Sequence, residues 1–142
     1  MAEIIKYKRI KKGKYKFELL ETYSCRHNLP GNISCRIKDY ITVFRGIIYA
    51  YIRYQWDGAT GLPEKLSILW EKWFIRGSLI HDCFYQLFRE GLLDLKYRKD
   101  VDTLMYNMFV EDNMPVGLAW SLYCIVRGLG WIFVKGEKTN GK

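Results

Sequence analysis

Residues 79–88 read LIHDCFYQLF, and this segment predicts an amphipathic helix around which the rest of the chain can be arranged. Ile80 and Phe84 recur at helical spacing, which places them on one apolar face. His81 lies at the border of that face, and Asp82 lies further toward the polar side. A side chain at such a border is fixed by packing and still reaches solvent. The segment therefore predicts a core helix with a candidate functional residue.

Helical periodicity dominates residues 64–134 and predicts a bundle of about four helices. These are a helix from residue 64, a helix with His81 that ends at Gly91, a helix with Asp102 that ends before Pro115, and a last helix over about 115–133. In contrast, residues 15–56 contain β-branched and aromatic runs at 41–44 and 47–54, which are typical of strands. The pattern predicts an α+β fold in one domain, with a small N-terminal antiparallel sheet followed by the helices.

The two parts are joined by residues 57–63, DGATGLP, whose glycines permit tight turns. We expect this loop to pack against the His81 helix. If the helices that carry His81 and Asp102 pack antiparallel, these two side chains meet at the solvent-facing edge, or rim, of the interface between the helices. The alternatives are that His81 bonds a backbone carbonyl, that Asp82 is solvated, and that Asp102 is a first-turn charge favoured by the helix dipole.

The chain has a formal net charge of +8, and seven of its cations lie within residues 6–16. Such a run predicts a flexible basic arm over residues 1–14 or an edge strand protected by lysine. Its expected partners are anionic surfaces, either phospholipid headgroups or nucleic acid, although a solvated basic face is the simpler alternative. A nucleic-acid-associated protein ranks last because no recognition motif accompanies the charge.

Residues 116–134 are almost entirely apolar and resemble a membrane span, but Arg127 lies inside the run and is costly within a bilayer. We therefore expect a buried terminal helix, with peripheral membrane contact through Trp120, Tyr123 and Trp131 left open. The N-terminus has no signal-peptide pattern, and the four cysteines form no C-x-x-C pair. These features favour reduced thiols and a protein that is not secreted.

Four segments occur in a specific order: the 57–63 loop, His-Asp-x-x-Tyr at 81–85, Val-Asp at 101–102, and a helix that ends in glycines over 123–130. This order resembles a phage and prophage protein family of unknown function over roughly residues 56–130. The resemblance implies a viral origin, a location in the host cytoplasm or in the virion, and contacts with other virion proteins. It implies no known activity.

A glycine-containing loop, a His-Asp-x-x-Tyr helix and an aspartate on an antiparallel helix also resemble the phospholipase A2 helix pair. The resemblance implies that His81 is the general base and that Asp102 orients it. It further implies a calcium site with Asp82 as a ligand and backbone carbonyls near Gly58 and Gly61.

The chain departs from that pattern because the loop lacks the usual Gly-x-Gly spacing and the disulfides of the secreted enzymes are absent. Asp57 has no required counterpart there, and we include it as a candidate metal ligand because calcium prefers carboxylate and carbonyl oxygens. Two hypotheses result. One is a calcium-dependent hydrolase of phospholipid esters, and the other is a non-catalytic virion or accessory protein in which the His/Asp cluster is a structural polar network.

Overall fold

The computed structural model describes residues 4–58 and 64–135. Its strands are β1 (Tyr7–Arg9), β2 (Phe17–Leu19), β3 (Tyr23–Arg26), β4 (Cys35–Ile37), β5 (Ile41–Phe44), β6 (Ile47–Ala50) and β7 (Gln55–Trp56). Its helices are α1 (Glu64–Arg89), α2 (Arg98–Glu111) and α3 (Val116–Lys135), with a 3₁₀ turn over Leu95–Tyr97. The α+β class is confirmed.

The strands form two antiparallel sheets, in the orders β1-β2-β7 and β3-β6-β5-β4, so the expectation of one small sheet is wrong. The predicted strand over 47–54 ends at Ala50 because the chain turns there, with Arg53 in the left-handed region at φ 76°. This turn takes the chain out of the second sheet, and β7 then pairs with β2 in the first.

The described part of the basic arm contains an edge strand, which was one of the two expected alternatives. β1 pairs with β2, and both Tyr7 and Arg9 bond Glu71 on α1. Lys8 lies 3.7 Å from Glu18 in an exposed ion pair. The strand is thus bound to both the sheet and the first helix, and the charges of Lys8 and Arg9 discourage pairing with another strand.

Three helices are present in the described ranges where about four were expected, because α1 continues through the two segments that were predicted as separate helices. Gly77 lies inside α1, where glycine costs about 1 kcal/mol relative to alanine. A Cβ at this position would lie 2.8 Å from the Phe109 ring, so glycine allows α2 to pack closely.

Both expected helix ends are confirmed by their capping bonds. Gly91 has φ 75°, and the N–H groups of Gly91 and Leu92 donate to the carbonyls of Phe88 and Leu87. Asn113 ends α2 in the same way at φ 72°. These 6→1 and 5→2 bonds satisfy carbonyls that the helix leaves open. Because of these two turns, α2 packs antiparallel to α1, and α3 packs antiparallel to α2.

The core lies between the sheets and one side of α1, while the other side of α1 packs on α2. Polar contacts fix the first of these interfaces: Trp56 Nε1 donates to Ser78 Oγ at 3.2 Å, and the Tyr54 hydroxyl donates to Gln86 at 3.0 Å. Within the described residues, no helix has both the length and the apolar character that crossing a membrane requires.

Candidate functional site

His81 on α1 and Asp102 on α2 are in direct contact, as the sequence predicts. His81 Nε2 lies 2.8 Å from Asp102 Oδ1. The histidine side chain is 11% exposed and the aspartate side chain is fully buried. The contact forms because Gly77 allows α1 and α2 to approach closely one turn earlier along α1.

Asp102 is the centre of a larger cluster. The Tyr85 hydroxyl donates to Oδ1 at 2.7 Å, Arg127 Nη1 donates to Oδ2 at 2.8 Å, and Arg98 Nη1 lies 3.7 Å from Oδ2. Burial by itself would raise the pKa of Asp102, but the hydrogen bonds from His81, Arg127 and Tyr85 bring it below its ordinary value. Asp102 is therefore a carboxylate in the folded protein, although it is shielded from water.

The expected position of Asp102 at the rim of the interface between the helices is wrong, because α3 covers this side of the helix pair. Gly130 allows the approach: a Cβ there would lie 2.6 Å from the Tyr85 hydroxyl. Because Gly130 has no side chain, Arg98 also reaches α3, where it donates to the backbone carbonyls of Val126 and Arg127 at 3.4 and 3.3 Å. Helix α3 thus forms a third wall of the site.

Sequence reasoning did not assign Tyr85, Arg98 and Arg127 to the site, although each had a signal. Tyr85 lies one helical turn after His81, and Arg98 lies one turn before Asp102. Arg127 is the one charged residue in the sequence from 116 to 134. An isolated charge in an apolar helix needs a buried partner, and Asp102 is that partner.

The orientation of His81 follows from its contact with a carboxylate. Because ionised Asp102 only accepts hydrogen bonds, Nε2 carries the proton and Nδ1 of the neutral ring has the lone pair. The Tyr85 ring packs on the imidazole with centroids 4.1 Å apart. No group of the described residues is hydrogen-bonded to Nδ1. The ring is thus held at one edge and one face, and its basic nitrogen has no protein partner in this part of the chain.

Asp82 is half-buried, and this corrects the expectation that it points further out toward solvent. The backbone N–H of Asp57 donates to Asp82 Oδ2 at 3.4 Å, which joins the end of β7 to α1. Burial raises the pKa of Asp82 to about 6, with the nearby Asp57 carboxylate adding to the effect and His81 opposing it. Burial also raises the pKa of Asp57, against the opposing charges of Lys16 and Lys14.

The described part of the loop packs against α1 as expected. Gly58 has φ 77°, and a Cβ there would lie 3.2 Å from Phe74 on α1 and would collide with Phe17. Gly61, the other predicted carbonyl ligand, falls outside the described residues. Over 4–58 and 64–135, no group of three or more His, Cys, Asp or Glu side chains is arranged to hold a metal ion.

The loop between β1 and β2 carries the remaining lysines of the basic arm to the same side of the molecule. Lys16 N–H donates to the Trp56 carbonyl at 3.1 Å, immediately before Asp57. Lys14 and Lys16 are close enough to Asp57 to lower its pKa. Cationic side chains therefore border the Asp57–Asp82 pair.

Comparison of the chain with protein-family models, with curated proteins and with solved structures finds no match. The chemistry of the site therefore has to be inferred from its own residues. An imidazole held by an ionised buried carboxylate, with its second nitrogen unbonded within the described residues, is suited to accept a proton from water.

Proposed function

We propose that the protein is a hydrolase in which His81 acts as a general base on water, with phospholipid esters as the substrate class. The observation that carries the proposal is the His81–Asp102 pair: Nε2 is bonded to a buried carboxylate at 2.8 Å, and Nδ1 has no partner among the described residues. The resemblance to the phospholipase A2 helix pair provides the choice of substrate.

The reaction begins with His81 Nδ1 accepting a proton from water while the water oxygen forms a bond to the ester carbonyl carbon. The carbonyl π electrons move to oxygen and give a tetrahedral oxyanion. When this species collapses, the bond to the leaving alkoxide breaks, and the imidazolium returns the proton to that oxygen. Asp102 stabilises the imidazolium through Nε2, and Tyr85 and Arg127 keep Asp102 in place.

Calcium is the cofactor that we propose for this site. Asp82 and Asp57 offer the carboxylate oxygens that calcium prefers, and their raised pKa values reflect negative charge that burial disfavours and a cation would stabilise. A backbone carbonyl of the Gly58 loop and water would have to complete the ligand set. When bound, the ion would polarise the ester carbonyl.

An anionic surface is the proposed partner of the lysine loop, residues 11–16. Lys11 and Lys12 are exposed on this loop, and the loop meets the chain beside Asp57. Binding to vesicles of phosphatidylglycerol should weaken steeply as salt is added, because exposed charges are screened. The double variant Lys11→Gln/Lys12→Gln tests this contact without disturbing the sheet, whereas deletion of the whole arm would also remove β1. Equal binding by this variant, or stronger binding to nucleic acid, would contradict the proposal.

The hydrolase is tested by release of fatty acid from phosphatidylglycerol vesicles, with calcium or with a chelator. His81→Gln should reduce the calcium-dependent rate by about 10²–10⁴-fold, which is the usual cost of losing a general base. His27→Gln is the matched control because His27 is the other histidine of the chain and lies outside the site. Absence of release by the unaltered protein, or equal rates for His81→Gln, would contradict the proposal.

Calcium binding is measured separately by titration calorimetry. Asp82→Asn should weaken binding because it removes a ligand charge, whereas His81→Gln should leave binding nearly unchanged. If the unaltered protein shows no heat with calcium and yet releases fatty acid, a metal-independent hydrolase replaces the calcium-dependent one.

The second candidate is a non-catalytic virion or accessory protein in the host cytoplasm or the particle, in which the His81 cluster only stabilises the fold. The surface of α3 favours it, because about half the surface of each of five large apolar residues is exposed: Trp120, Ile125, Leu129, Trp131 and Ile132. Exposed apolar patches of this kind mark contact surfaces. Mass spectrometry of purified particles tests it, and absence from the particle would count against a virion role.

A further inference from the structure

The carboxylate that holds His81 is paired with two cations. Asp102 interacts with both Arg98 and Arg127, although one cation would balance it. Two guanidinium groups paired with one carboxylate leave an excess of positive charge beside His81. This imbalance favours an anionic ligand at the site.

The two arginines beside Asp102 have different surroundings. Arg98 directs its Nη groups to the Tyr85 hydroxyl and to two backbone carbonyls of α3, and its side chain is 17% exposed. Arg127 makes one side-chain hydrogen bond within the described part of the chain, from Nη1 to Asp102, and its side chain is 31% exposed. A guanidinium has five N–H donors. The donors of Arg127 beyond Nη1 therefore have no protein acceptor in that part of the chain.

Arg127 and His81 bind the two oxygens of one carboxylate, Oδ2 and Oδ1 respectively. Asp102 therefore holds the guanidinium and the imidazole side by side. The planar fork of a guanidinium matches two oxygens of a phosphate, and the pairing is strong because both groups are charged. A phosphate on Arg127 would place the rest of its molecule next to His81.

We propose that Arg127 binds the phosphate group of a ligand and thereby positions that ligand beside His81. The shared chemistry is a phosphate, either the diester of a lipid headgroup or a free phosphate. This inference deepens the proposed hydrolase and rests on it for the reaction, but phosphate binding itself needs no catalysis. Arg127 is a binding residue in this proposal, in addition to its ion pair with Asp102.

The first test uses the unaltered protein. Nitrogen–proton correlation spectra follow the Nε–Hε resonance of Arg127, which is assigned by its loss in Arg127→Lys. Inorganic phosphate should shift this resonance in a saturable manner, and glycerophosphocholine should do the same if a lipid headgroup is the source. No shift with either probe overturns the proposal, whatever the stability of the variants.

The second test compares affinities for inorganic phosphate by calorimetry. Arg127→Gln should weaken binding about tenfold or more, which is the usual effect of losing a hydrogen bond to a charged group. Arg36→Gln is the matched control, because it removes one positive charge from an exposed arginine on β4, the outer strand of the second sheet. Equal losses in both variants would indicate a net-charge effect and would overturn the assignment to Arg127.

These outcomes separate the phosphate site from the hydrolase. Phosphate binding that depends on Arg127, in a protein that releases no fatty acid, would support the site and reject the proposed reaction. Fatty-acid release that is equal in Arg127→Lys and the unaltered protein, with no phosphate shift, would support the reaction and reject the site.

Discussion

Helix α1 carries two buried ionic clusters only five residues apart, and they are built in opposite ways. Around Arg76 the buried centre is a cation: it donates to Asp112 at 3.1–3.3 Å, to Glu111 at 2.7 Å and to the Tyr23 hydroxyl at 3.3 Å. Each guanidinium nitrogen of Arg76 has an acceptor. The Arg76 cluster therefore has no guanidinium nitrogen left to bind a ligand, and it connects β3, α1 and the end of α2.

Around His81 the buried centre is an anion, Asp102, and two of the groups that hold it have nitrogens without a partner in the described part of the chain. Nδ1 of His81 has no hydrogen-bond partner among the described residues. The N–H donors of Arg127 other than Nη1 have no acceptor among them either. Burial and ion pairing are common to both clusters and therefore do not indicate function by themselves. Nitrogens that have no acceptor or donor among residues 4–58 and 64–135 distinguish the His81 cluster.

The largest expected effect is that of Asp102→Asn on the rate. The amide of asparagine can donate to Nε2 of His81, which would move the ring proton to Nδ1 and abolish its ability to accept one. We expect a loss of about 10²–10⁴-fold in fatty-acid release per folded molecule. Rates are corrected for the folded fraction by circular dichroism. A variant that folds and keeps its rate would show that Asp102 does not orient the base.

Arg76→Met should act on stability and leave the rate per folded molecule unchanged. It leaves Asp112 buried without its partner, which typically costs about 3–5 kcal/mol in the free energy of unfolding. Urea unfolding at neutral pH measures this cost. If Arg76→Met abolished fatty-acid release without unfolding the protein, the two clusters would not be functionally separate.

Asp82→Asn should change how stability depends on pH. The pKa of Asp82 is raised to about 6, so the folded state holds this proton more tightly than the unfolded chain does. Its contribution is therefore most favourable at acidic pH and is lost as the pH rises from the ordinary value for aspartate toward 6. The neutral asparagine should recover up to about 3 kcal/mol at pH 7.

The measurement for Asp82→Asn is urea unfolding of both proteins at several pH values, without calcium. The difference in unfolding free energy should grow between about pH 4 and pH 6 and then level off. A constant difference across this range would contradict a raised pKa. Asp112→Asn is a useful comparison, because Asp112 is paired with Arg76 and the substitution should destabilise the protein at neutral pH.

The smallest expected effect is that of Tyr85→Phe. This substitution removes one hydrogen bond to Asp102 but leaves the bonds from His81 and Arg127. The cost in unfolding free energy should be about 1–2 kcal/mol, with a decrease in rate of less than about tenfold. Thermal unfolding and the vesicle assay measure the two effects. A loss as large as that of Asp102→Asn would assign Tyr85 a direct part in the reaction.

Much of the fold was predictable because it depends on local patterns. The helix around residues 79–88, the ends at Gly91 and before Pro115, and the contact between His81 and Asp102 all follow from helical periodicity and capping residues. The number of helices was not predictable, because Gly77 lowers the helix propensity of α1, and its close contact with Phe109 forms only when α1 and α2 pack.

The composition of the site required the tertiary structure. From the sequence alone, a histidine and an aspartate could be assigned to the borders of apolar helix faces, and one arginine to an apolar segment. Only the packing of α3, which Gly130 permits, buries Asp102 and joins it to Arg98 and Arg127. The physical reason is distance along the chain: helix patterns act within a few residues, whereas the charges that set the chemistry of His81 come from 17 to 46 positions away.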